Sequence, residues 1–144
     1  MIGLNWPRYS AGASGFNAQF ANIVAAYFIA TGQDVAHVGE GSVGITMIER
    51  AGKDAVQASI FMPDVPLGAV GGGTGLATQS EALSMLGIAP DREAPGQATM
   101  RLAEILGGVV LAGELSLMAA FTSSDLSTAH ERLARGRQDP SAER

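Results

Sequence analysis

Leu67-Gly68-Ala69-Val70-Gly71-Gly72-Gly73-Thr74 is the stretch on which the fold turns. Three consecutive glycines, with Gly68 and Gly75 beside them, strip the side chains from a length of backbone. Another chain segment, or a ligand, can then approach as closely as main-chain atoms allow. The run is not a Walker loop, because no Gly-x-x-x-x-Gly-Lys occurs, and Gly71, Gly73 and Gly75 do not follow the dinucleotide-binding spacing. Two readings remain from the pattern: a tight structural crossing and a ligand loop.

Upstream of the glycines, Val43, Ile45 and Met47 alternate, as do Val56, Ala58, Ile60 and Met62, and Ala51-Gly52-Lys53-Asp54 between them reads as a turn. The pattern predicts a β-hairpin with one buried face. Pro63 and Pro66 end its second strand, since proline cannot donate to a central ladder. Further upstream, apolar residues at 16, 20, 23, 24, 27, 28 and 30 predict a buried helix from Phe16 to Thr31. Gly32 stops that helix by taking the left-handed conformation. Asp34 falls just past its C-terminus, where the macrodipole disfavours negative charge and a cationic partner is wanted.

Downstream, a short helix runs from about Thr78 to Leu86 and is stopped by Gly87. Asp91 to Gly96, flanked by Pro90 and containing Pro95, is a loop into a long helix from Gln97 to about Phe121. A membrane span needs about 20 apolar residues with few charges. Arg101, Glu104 and Glu114 interrupt this one, so it is expected to be a core helix rather than a membrane segment. Ser124 or Asp125 can cap a last helix to about Arg135, with a polar tail beyond. The outline is an α+β, helix-dominated fold, with buried long helices and a β-hairpin, free of internal repeats and low-complexity segments.

Composition narrows the function. The chain of 144 residues is one domain with 47% apolar and 16% charged residues. At that length it can bury roughly 68–70% of its unfolded surface. A net charge of −5 argues against nucleic acid, which is bound largely through clustered Lys and Arg. Glu131 to Arg137 holds three of the eight arginines and reads as a solvated face. There is no cysteine, so disulfides, thiolate nucleophiles and Cys-ligated metals are excluded, and no metal site is expected. Residues 1–8 lack the pattern of a signal peptide, and a cytoplasmic location is expected.

Gly32-Gln33-Asp34, the glycine run, and Ala112-Gly113-Glu114-Leu115-Ser116-Leu117 follow one another in that order. Together they resemble 3-hydroxy-3-methylglutaryl-CoA (HMG-CoA) reductase, in its archaeal and eukaryotic class. The resemblance runs from about Ser14 to His130 and covers the C-terminal part of the catalytic domain. It divides the chain into a non-matching segment 1–13, the reductase part 14–137 and a polar tail 138–144. It implies an NADPH-dependent reduction of HMG-CoA to mevalonate and CoA in isoprenoid precursor synthesis, by two hydride transfers through bound mevaldehyde.

The resemblance also implies roles for individual residues. Asp34 matches the catalytic aspartate, although an aspartate there is ordinarily a loop cap. His130, 16 residues after Glu114, matches the catalytic histidine that protonates the departing CoA thiolate. Asn22 would face the substrate and donate to the thioester oxygen, with a satisfied core amide as its structural alternative. Leu117 and Ala120 would line the substrate groove. Gly32, Gln33, Gly71, Gly72 and Gly73 would lie near the nicotinamide cofactor, NADPH. Gln19 departs from the family, which usually has a histidine there. Glu114 reads as structural, a carboxylate in an apolar helix that must be paired or neutral, and His37 as a surface residue.

The family reaction also uses a glutamate and a lysine from upstream segments. Lys53, the sole lysine, lies in the hairpin turn and does not match the second of these. The isolated chain is therefore expected to be inactive, and to act with a missing N-terminal half or as a homo-oligomer. The alternatives are a non-catalytic CoA-ester-binding or oligomerisation module, and a phosphate-binding enzyme that uses the glycine run alone.

Overall fold

The computed structural model describes residues 17–122. The segment before Asn17, the helix expected to about Arg135, the tail and His130 lie outside the described residues. Helix α1 (Phe20–Thr31) is the central element, burying Phe20, Val24, Tyr27, Phe28 and Thr31 along one stripe. That spacing is the helical repeat of three and four, so the side chains stack on one face. The helix starts at Phe20 rather than Phe16, because the amides of Ala18 and Gln19 are taken by the carboxylate of Glu114, far along the chain. Gly32 closes it in the left-handed conformation, with φ of 73°, as expected.

A 3-10 turn over Val35–His37 then leads into a single-turn helix α2 (Val38–Gly41), which the sequence pattern did not foretell. Strands β1 (Ile45–Arg50) and β2 (Val56–Phe61) pair antiparallel, Ile45 opposite Phe61 and Arg50 opposite Val56. The hairpin stands as expected, but its first strand presents the opposite face. Thr46 is buried, whereas Ile45 and Met47 are exposed. The reason lies outside the strand: the Thr46 hydroxyl donates to the buried Glu114 carboxylate of a distant segment at 2.8 Å, which draws the even-numbered positions inward.

After the glycine run come α3 (Ala77–Met85) and α4 (Gln97–Thr122), close to the expected bounds. Helix α4 lies antiparallel to α1. Tyr27 Oη donates to the carbonyl of Leu102 at 2.9 Å near one end, while Glu114 holds Ala18 and Gln19 at the other. Ala98, Leu102, Leu106, Val110 and Glu114, four residues apart in turn, form its buried stripe. Burying each large apolar side chain is worth roughly 1.5–3 kcal/mol, so this seam dominates the stability of the helix pair. Gly113 lets the axes close up, since a Cβ there would overlap the tip of Ile23. Only that stripe behaves as the expected core helix. Helix α4 is long and apolar enough to cross a membrane by length and composition, with a mean hydropathy of 1.7 over an apolar stretch of 18 residues, of which 22% is buried.

Candidate functional site

The end of α1 and the glycine run meet at a single junction. Gly73 donates its amide to the carbonyl of Gly32 at 3.1 Å. A Cβ on Gly32 would sit 2.5 Å from the Gly73 oxygen and 2.7 Å from the Thr74 nitrogen. Neither of these is a flexible side-chain tip, so no larger residue fits without moving backbone. Gly32 and Gly73 therefore form the tight crossing that the glycines allowed. Gly71 and Gly72 differ from them, with φ of 89° and 56°. Both are exposed; nothing lies within 4 Å of a Cβ on Gly71, and only the Gly32 oxygen, at 3.7 Å, lies near one on Gly72. One loop thus carries both readings, a crossing on its inner side and open backbone on its outer side.

Gln33 fastens the same junction. Its Nε2 donates to the carbonyls of Gly68 at 3.0 Å and Thr31 at 3.2 Å, and its Oε1 accepts the Gly68 amide at 2.8 Å. Both amide hydrogens are engaged on backbone. Thr74 Oγ1 closes the glycine turn by donating to the Gly71 carbonyl at 2.7 Å.

Asp34 projects outward from this junction, its side chain 67% exposed. Its Oδ1 accepts the Ala36 amide at 2.9 Å, capping the 3-10 turn. Asp34 thus lies just past the C-terminus of α1, as expected, and also makes the local cap that an aspartate there ordinarily makes. The basic group near it is His37, with Nε2 at 3.9 Å from Asp34 Oδ2 and Nδ1 at 2.7 Å from Glu40 Oε2. His37 is on the surface, as read, but it is held between two carboxylates. The hydrogen bond and charge of Glu40, then the charges of Asp34 and Asp64, raise its pKa above the ordinary value of 6.5. Lys53 sits exposed in the hairpin turn, as expected.

The remaining site residues fall at the other end of α1. Asn22 is on its exposed face, nine residues before Thr31, which at a rise of about 1.5 Å per residue is about 14 Å along the axis. Leu117 and Ala120, both half-buried, follow Glu114 on α4 and belong to that same end. The structure thus brings Gly32, Gln33, Asp34 and Gly71 to Gly73 together and sets Asn22, Leu117 and Ala120 apart from them. A single ligand meeting both groups would have to lie extended along α1.

Glu114 organises that far end. Its side chain is fully buried, and its oxygens accept from Ala18 N, Gln19 N and Thr46 Oγ1 at 3.1, 2.5 and 2.8 Å. The sequence marked it as structural. Its partners, one of them in the hairpin, carry no signal of their own. Gln33 as a clasp was equally unmarked, since a glutamine beside a helix stop is ordinarily solvated.

Fold and candidate site together define a helix-dominated α+β segment in which exposed glycine backbone and a solvent-facing carboxylate share one junction. The family model of hydroxymethylglutaryl-coenzyme A reductase matches residues 8–135. The chain belongs to that family. It is 50% identical over 127 residues to the 3-hydroxy-3-methylglutaryl-coenzyme A reductase of Aeropyrum pernix, a match covering 88% of this chain and 30% of that relative. The Methanocaldococcus jannaschii reductase is 52% identical, with 84% of this chain and 28% of the relative covered. The Solanum lycopersicum 3-hydroxy-3-methylglutaryl-coenzyme A reductase 2 is 50% identical, with 90% and 22% covered. The chain thus spans less than a third of the length of these curated relatives.

Proposed function

We propose that the chain is the part of an HMG-CoA reductase that supplies the aspartate junction and glycine loop for reducing HMG-CoA to mevalonate and CoA. The observation that carries this is the Gly32–Gly73 crossing, which holds Asp34 beside the exposed backbone of Gly71 and Gly72. NADPH fits that loop, because side chains are absent where a flat ring would have to approach the backbone. When bound, it supplies hydride. Gly71 and Gly72 would meet the cofactor directly, with Gly32, Gln33 and Gly73 holding them in place. Asp34 would be the catalytic carboxylate, paired with the lysine that steadies the developing oxyanion on the thioester carbonyl. Asn22 would donate to the thioester oxygen, and Leu117 and Ala120 would line the groove for the substrate's apolar portion. His130 would act as the acid for the thiolate. The lysine and glutamate of the reaction would come from outside this chain, from an N-terminal part or from an associated copy, in a cytoplasmic oligomer.

The test is a chimaera in which residues 8–135 of this chain replace the matching part of the Aeropyrum pernix reductase. The expected result is HMG-CoA-dependent NADPH oxidation that falls by on the order of 100-fold or more in the Asp34→Asn and His130→Ala forms, the size of a lost acid–base group. A folded chimaera without turnover, or one indifferent to Asp34→Asn, would overturn the reading. The isolated 144-residue chain is expected to show no turnover in the same assay.

A further inference from the structure

We infer that Gln33 is a positioning residue that couples the Asp34 turn to the glycine loop, so that the two parts of the junction hold their places only together. The inference rests on the reading of Asp34 and the loop as parts of one site. Gln33 lies between Gly32, which crosses Gly73, and Asp34, which caps the next turn. Its Oε1 and Nε2 pair with the amide and carbonyl of the same residue, Gly68, at 2.8 and 3.0 Å. A primary amide engaging both polar groups of one peptide residue imitates a strand partner, and it fixes direction as well as distance. The second Nε2 hydrogen, on Thr31 O at 3.2 Å, ties the clasp to the last turn of α1.

The loop is thereby gripped twice, at Gly68 by a side chain and at Gly73 by the backbone of Gly32. The four residues between these grips, Ala69 to Gly72, include both open glycines. These two have no side chains of their own, so the grips at either end set where they lie, together with the Ala69 amide on Thr99 Oγ1 at 3.4 Å and the Thr74 hydroxyl on the Gly71 carbonyl. Asp34 is the next residue after the clasp, and a shift of Gln33 moves the carboxylate with it. A glutamine that only filled space would leave the Gly32–Gly73 crossing alone to join the loop to the turn.

The measurement is amide hydrogen exchange by NMR on the full 144-residue chain, as wild type, Gln33→Leu and Gln33→Glu. Three hydrogen bonds are lost in Gln33→Leu with the volume roughly kept. Protection at Gly68, at Gly73 and at Ala36, whose amide caps onto Asp34, is expected to fall together by on the order of tenfold to a hundredfold. Protection at Val110 in α4 and Ile48 in β1 should be unchanged. Gln33→Glu supplies the readout that packing alone would not move. A neutral carboxylic acid can accept from Gly68 N and donate to Gly68 O as the amide does, whereas a carboxylate repels the carbonyl.

The clasp therefore raises that side chain's pKa in the folded chain. Protection is retained below the ordinary glutamate value of about 4.3 and is lost as pH rises through the raised one. The wild-type chain over the same pH series controls for the other ionisable groups near the junction, Asp34, His37 and Glu40. Loss confined to Gly68 in Gln33→Leu, or pH-independent protection in Gln33→Glu, would overturn the coupling. Global loss of protection in both variants would overturn it too, because Gln33 would then hold the whole fold rather than this junction. The chimaera assay can fail while this exchange pattern holds, and the reverse, so the two readings are separable.

Discussion

Glu114 illustrates how one residue can serve three elements. A carboxylate buried alone would be prohibitively costly, so it persists only because two main-chain amides and a hydroxyl converge on it. It does for α1 what a Ser or Asp cap does locally, but from a partner helix. Glu114→Ala leaves the buried Thr46 hydroxyl and the two part-buried amides without their acceptor and is expected to destabilise the chain by about 3 kcal/mol, read by urea unfolding. Glu114→Gln should also destabilise, since its amide nitrogen must face a donor. His37 gives a second outcome at this scale. Glu40 raises its pKa chiefly by hydrogen bonding, so the interaction stabilises the fold below about pH 6.5 and is lost as pH rises through the raised value. An NMR titration of the imidazole should show that raised value, with Glu40→Gln returning it most of the way and Asp34→Asn less. An unchanged titration in Glu40→Gln would contradict the assignment.

At the scale of elements, the glycines sort by what surrounds them. Gly32 and Gly71 both have left-handed φ, but only Gly32 is pressed against other backbone. Gly71→Ala should therefore cost only the conformational penalty of its extended, positive-φ backbone, about 1–3 kcal/mol. Gly32→Ala adds a backbone collision and should cost at least about 3 kcal/mol or force the crossing apart. Comparing the two melting transitions by calorimetry checks the order, and equal losses would refute it. Much of this was readable from the chain: a glycine run allowing close approach, a helix stopping at Gly32, a hairpin ending at Pro63. What misled was alternation in β1, where Ile45 and Met47 form the more hydrophobic set and yet face outward. The buried carboxylate of α4 prefers the hydroxyl of Thr46, and that preference is invisible from within the strand.

For the whole molecule, the contrast between the covered stripe of α4 and its other faces matters most. Met100, Val109, Leu115 and Phe121 remain exposed there, and Ile45, Met47 and Phe61 remain exposed on the hairpin. Apolar surface on this scale drives association. The chain is expected to self-associate at micromolar concentration, with sedimentation shifting towards monomer in a Val109→Glu, Leu115→Lys double variant. Monomeric wild type at all concentrations would contradict this. The relatives, more than three times as long as the part matched here, have additional chain with which to cover such faces. That is consistent with the proposal that the reaction needs groups from outside this chain.

The sequence by itself determined the helix-dominated order of elements and the family, because periodicity, glycine placement and the Gly32-Gln33-Asp34 and Gly71 to Gly73 motifs are local or nearly so. It also marked Glu114 as a residue that must be paired or neutral. Only the tertiary structure decided which partners it took, which face of β1 turned inward, and that Gln33 closes on Gly68 rather than on solvent. Each of those depends on polar groups far apart in the chain arriving within about 3 Å of one another. No pattern along a single segment encodes that meeting.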